Sequence, residues 1–101
     1  MFVAGTTGTV EGSVVAPGDA YAQTLQALHN VDVALRLAGA TLDDVVQTRL
    51  SVTDITRWQD VARAHEEVFA SAPPVTAMVG VGGLIDPDML VEVEATAYLG
   101  S

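Results

Sequence analysis

Two hydrophobic periods alternate along the chain, and each switch between them marks an element. Between residues 19 and 38, Tyr21, Leu25, Leu28, Val31, Leu35 and Ala38 recur at steps of three and four. That spacing puts them on one stripe of a helix. Pro17-Gly18 breaks the chain ahead of it, Asp19 is a candidate N-cap, and Gly39 suits the left-handed turn that ends many helices. From Val45 to Thr53 the period becomes two. Val46, Thr48, Leu50 and Val52 fall on one face of a strand, and Val45, Gln47, Arg49, Ser51 and Thr53 on the other. Helical spacing returns after Asp54 or Thr56, either of which can cap, with Trp58, Val61, His65, Val68 and Phe69 as the stripe. Pro73-Pro74 stops that helix.

Thr76–Gly82 and Met89–Leu99 read as two further strands, joined through Leu84–Asp88. In the last strand Val91, Val93, Ala95 and Ala97 alternate with Glu92, Glu94, Thr96 and Tyr98. Ahead of the first helix, Phe2-Val3-Ala4 is a short strand ending at Gly5, and Thr9 to Val15 is a second short strand or an extended loop. Thr41 to Asp44 has the spacing of a capping box. This order predicts an α+β fold with two helices on one face of a mixed sheet. The other face then needs a cover, and a second copy of the chain is the obvious one.

Composition sharpens that expectation. A chain of 101 residues makes one domain, yet half of its residues are apolar. So small a monomer hides that much apolar surface with difficulty. A membrane span would need about 20 consecutive apolar residues, whereas the stretch Val31–Ala40 is already broken by Asp32 and Arg36. Homo-oligomerisation is expected instead. The absence of cysteine excludes disulfides, thiolate zinc sites and a cysteine nucleophile. Met1–Gly5 has no basic region and no long apolar run, so no signal peptide is expected and the cytoplasm is the expected location. Four arginines face thirteen acidic residues, a net charge of −9. That balance argues against nucleic-acid binding, which rests on phosphate neutralisation.

Several strings, in order and over almost the whole chain, carry a resemblance. They are Phe2-Val3-Ala4-Gly5, Gln23-Thr24 leading to Asn30, Ala38-Gly39-Ala40, Asp44-Val45-Val46, Val52-Thr53-Asp54, Phe69, Pro74 and Val91-Glu92-Val93-Glu94-Ala95. With them the chain resembles the RidA/YjgF family. The resemblance implies a chorismate-mutase-like α+β fold, a homotrimer, and small-molecule sites in the clefts between subunits. It also implies hydrolysis of reactive enamines and imines to ketoacids and ammonia. The usual N-terminal segment of that family is expected to be missing from residues 1–101, which form a single domain, either a shorter variant or a trimmed sequence. The family's Pro-Ala-Arg at the start of the third strand read here corresponds to Pro74-Val75-Thr76, so Thr76 stands where the arginine belongs. The asparagine often found in the second helix corresponds to Ala62, and Glu92 matches the glutamate that in the family positions the hydrolytic water.

Imine hydrolysis of that kind needs a guanidinium to hold a substrate carboxylate and a carboxylate to orient water. Glu92 is the candidate catalytic residue, while Glu94, two positions on and on the same strand face, is expected to be structural. Thr76 and Arg49 are candidate substrate-binding residues. Thr76 carries no charge and cannot replace the clamp. Arg49, mid-strand, is read either as one half of an ion pair or as the missing cation. Arg36, Arg57 and Arg63 are expected on helices, facing solvent. His65 falls on an apolar stripe and reads as a buried, hydrogen-bonded side chain, with Trp58 and Phe69 in the core. Gly5, Gly8 and Gly12 lack the lysine and the strand-to-helix setting of a phosphate loop. Gly80, Gly82 and Gly83 mark either close packing or an enlarged pocket. No metal and no cofactor are expected. Two readings stay open, a divergent imine or carbonyl hydrolase and a non-catalytic metabolite-binding trimer. An endoribonuclease is disfavoured by the charge.

Overall fold

A computed structural model describes residues 1–99. Its elements are β1 (Phe2–Thr7), a small hairpin of β2 (Thr9–Val10) and β3 (Ser13–Val14), α1 (Ala20–Leu37), β4 (Val45–Val52), α2 (Trp58–Val68), β5 (Val75–Gly80) and β6 (Val91–Ala97). Short 3-10 turns at Leu42–Asp44 and Ile55–Arg57 lead into β4 and α2. The main sheet has the order β1-β6-β4-β5, with β4 and β5 parallel and the other pairs antiparallel. Both helices pack on it, as the spacing predicts.

The local chemistry explains the boundaries. Asp19 caps α1 by accepting the Ala22 N–H at 2.9 Å, and Gly39, at φ +86°, takes the left-handed position beyond its end. Asp44 accepts the Thr41 N–H at 2.8 Å, which anchors the turn before β4. Asp54 accepts the Thr56 N–H and hydroxyl, so the capped element is the 3-10 turn, and α2 begins only at Trp58.

The core lies between sheet and helices. Leu28, Val31 and Leu35 of α1 meet Leu50 and Val52 of β4, Val91, Val93, Ala95 and Ala97 of β6, and Val61 and Phe69. Burying each of the larger side chains contributes roughly 1.5–3 kcal/mol. Two expectations fail here. Val45 is buried and Val46 exposed, the reverse of the assigned faces, because the β4–β6 register shifts between Val45 and Gln47. The bulge adds a residue and flips the parity on one side of it. Trp58 is not core: it is 50% exposed, at the first position of α2, ahead of the buried residues Val61, Ala64 and His65.

Two side chains from the family-like strings act as polar struts. Gln23, fully buried in α1, donates to Asp88 O at 2.9 Å and accepts the Leu90 N–H at 2.9 Å, tying the loop before β6 to the helix. Asn30 donates to Thr7 O and Thr9 O, at 3.0 and 2.9 Å, and holds the end of β1. No helix of the described residues is long and apolar enough to cross a membrane.

Candidate functional site

Strand parity decides which candidates can meet. Arg49 sits mid-β4 in register with Glu94 of β6 and Ala77 of β5, and Ser51 is in register with Glu92. Their neighbours Leu50 and Val93 point into the core, so Arg49, Glu92 and Glu94 share the opposite face of the sheet. Arg49 and Glu94 are exposed, and Glu92 is half-buried. The salt bridges among the described residues are Arg36–Asp32 at 2.9 Å and Arg63–Asp60 at 3.9 Å, both along helices. Arg49 makes none, although a carboxylate stands opposite it in register.

Glu92 has a place prepared for it by glycine. A Cβ on Gly5 of β1 would sit 2.5 Å from the Glu92 carboxylate, which lies over that bare stretch of backbone. Gly5 therefore reads as space for Glu92, a role its position in the sequence did not announce.

Thr76 lies elsewhere. It is in parallel register with Thr48, a fully buried residue on the helix-facing side. The Thr48 hydroxyl donates to Thr76 Oγ1 at 2.7 Å and lies 2.8 Å from His65 Nε2. Thr76 and Glu92 thus occupy opposite faces of one sheet, and a single protomer does not bring them together. His65 is buried and hydrogen-bonded, and its ring tilts against Phe69 at 4.7 Å between centroids. Burial lowers its pKa from the ordinary histidine value, with the Glu66 charge acting the other way. Thr76 forms part of a groove of about 630 Å³ between the end of α2 and the start of β5, with His65, Glu66, Phe69, Ala70 and Pro74. The sequence signal for Thr48 is a polar residue on an otherwise apolar strand face.

The other basic side chains have local duties. Arg57 donates to Gly18 O, and Arg63 lies over the Tyr21 ring, 4.1 Å from its centroid. Gly82 and Gly83 line a second groove of about 370 Å³ with Thr53 and Met89, and added side chains there would meet nothing within 4 Å. They lie beyond the end of β5 rather than within it.

Comparison with known proteins settles the kinship. Residues 1–99 match the model of the family described as Endoribonuclease L-PSP. The crystal structure of Rv2704 from Mycobacterium tuberculosis, a member of the YjgF/YER057c/UK114 family, superposes with a TM-score of 0.87 at 50% identity, covering 97% of this chain and 77% of that one. This chain belongs to the YjgF family. The YjgF gene product of Escherichia coli superposes with a TM-score of 0.86 at 31% identity, over 95% of this chain and 77% of that one. An uncharacterized protein of Streptomyces coelicolor is 37% identical over 101 residues, 100% of this chain and 75% of its own length.

As a YjgF-family protein, the chain presents two chemically distinct surfaces. The open sheet face carries one cation and two carboxylates. The groove on the helix side carries hydroxyl, imidazole and carboxylate groups, and no lysine or arginine lines it.

Proposed function

We propose that this chain is a divergent Rid-type hydrolase of a small imine, enamine or related carbonyl compound, working at clefts between the subunits of a homotrimer. Glu92 orients the attacking water, Arg49 supplies the cation on the same face, and Thr76 contacts the ligand from a neighbouring copy. The observation that carries the reading is the open sheet face. Glu92 lies over Gly5, and Arg49 stands opposite Glu94, two strand positions from Glu92, with no salt bridge among the described residues. A charge buried without a partner would cost several kcal/mol. Once a second copy covers this face, Arg49 needs a carboxylate, either a glutamate or a ligand's. The opposite placement of Thr76 and Glu92 supports a shared site, since only a cleft between copies lets both reach one molecule.

Phosphodiester cleavage is disfavoured. The net charge is −9, and the open face carries two glutamates against one arginine.

The test generates 2-aminoacrylate enzymatically and follows pyruvate release. With Thr76 in place of the clamp, the chain is expected to accelerate release little or not at all. Acceleration equal to that of an arginine-bearing relative would overturn the account of the clamp. An uncharged imine is the expected better substrate, and Glu92→Gln should slow its hydrolysis by about 100-fold or more.

A further inference from the structure

We propose that the groove at the end of α2 is a binding subsite for an uncharged carbonyl group, which takes a hydrogen bond from Thr76, with Thr48 and His65 as positioning residues that turn the Thr76 proton outward. This deepens the reading of Thr76 as a ligand contact and names the ligand chemistry it selects.

The polarity of a short chain of hydrogen bonds decides what Thr76 offers. Thr48 is fully buried and owns one O–H, which it donates to Thr76 Oγ1 at 2.7 Å. Its oxygen is then free to accept, and the ring nitrogen at hand is His65 Nε2, 2.8 Å away. In the proposed relay His65 carries its proton on Nε2 and donates it to Thr48, a tautomer that the ring ¹⁵N shifts report. Thr76 accepts at its oxygen and keeps its own proton, and it is the exposed end of the chain of hydroxyls, at the groove. A ligand arriving there meets a donor backed by two buried groups. A carbonyl or imine acceptor fits that polarity.

Charge narrows the class further. Glu66 and Glu67 belong to the groove, and no basic residue lines it. Glu67 is engaged by the Tyr21 hydroxyl, which leaves it an acceptor rather than a donor. His65 is held toward its neutral form by burial. A carboxylate entering the groove would lose water, gain no cation and face like charges. Phe69, Ala70, Pro73 and Pro74 offer an apolar wall for the body of a neutral ligand.

Three near-isosteric probes separate the possibilities on the full chain: cyclohexanecarboxamide, cyclohexanecarboxylate and cyclohexylmethylammonium. NMR titration is expected to show the amide shifting Thr76 and Phe69 resonances at concentrations where the other two do not. The ring ¹⁵N shifts of His65 should report the Nε2–H tautomer. Thr48→Val should weaken amide binding by about fivefold, the worth of one hydrogen bond, and change the His65 tautomer balance. Thr48→Ser should restore both, which separates the relay from mere loss of packing. Carboxylate binding as tight as the amide would overturn the proposal. So would tighter binding of the ammonium, an Nδ1–H tautomer in the unaltered protein, or no shift with any probe. Binding is read without turnover, so failure of the hydrolase reading leaves this result standing.

Discussion

The two faces of the sheet are built from the same strands and differ at every second residue. On β4, Thr48, Leu50 and Val52 are buried under the helices, while Gln47 and Arg49 stand exposed on the other face. On β6, Val91, Val93, Ala95 and Ala97 are core, while Glu92 and Glu94 face away. The helix side holds the protomer together and admits polarity only where it is hydrogen-bonded, at Thr48, His65, Gln23 and Thr24. The open side contributes little to the fold of one chain and carries the charged groups. Alternation thus lets a short chain keep stability and chemistry on adjacent residues.

The two faces should differ most when a side chain is removed from each. Leu50→Ala should cost about 2–5 kcal/mol of stability in denaturant unfolding, as for a fully buried leucine. Gln47→Ala, three residues away on the open face, should stay within about 0.5 kcal/mol. Equal losses would show that the open face is also core.

Gly5→Ala perturbs the open face alone. Its new methyl would meet the Glu92 carboxylate at 2.5 Å, the movable end of a side chain. Unfolding stability should fall by about 1 kcal/mol or less, whereas Glu92-dependent turnover should drop as it does in Glu92→Gln. A stability loss with turnover retained would contradict the role given to this glycine.

The smallest expected effect is on pH. The folded pKa of His65 lies below the value of 6.5 that it has when unfolded, chiefly through burial. Between the two values the unfolded chain binds more protons, so stability rises with pH there. This contribution is complete above pH 6.5 and is lost as pH falls through the folded value. His65→Gln should flatten that part of the stability curve, and an unchanged slope would show that His65 titrates as if exposed.

Much of this fold is legible in the sequence because period reports burial. The two helices, β4, β5 and β6, and the inward alternation on β6 follow from spacing alone. The burial of His65 was legible for the same reason, as a polar residue on an apolar stripe. The bulge at Val45–Val46 was not, since an inserted residue reverses parity without any change in residue type. Nor was the exposure of Trp58, because a stripe does not say where its cover ends. At the candidate site, Glu92 and Arg49 fall on one face by counting. Thr76 does not join them, because its side depends on how β5 registers against β4, a long-range pairing that no local pattern encodes. The Thr48 bridge and the space at Gly5 are likewise contacts between distant segments.

The claim on which the rest depends is that further copies cover the open face and so complete the site. Light scattering of the purified chain at micromolar concentration tests it most directly. The account predicts a particle of three times the 10.5 kDa chain mass. A monomer mass under those conditions would contradict it, and would leave Arg49 and Glu92 as residues of a solvent-facing sheet.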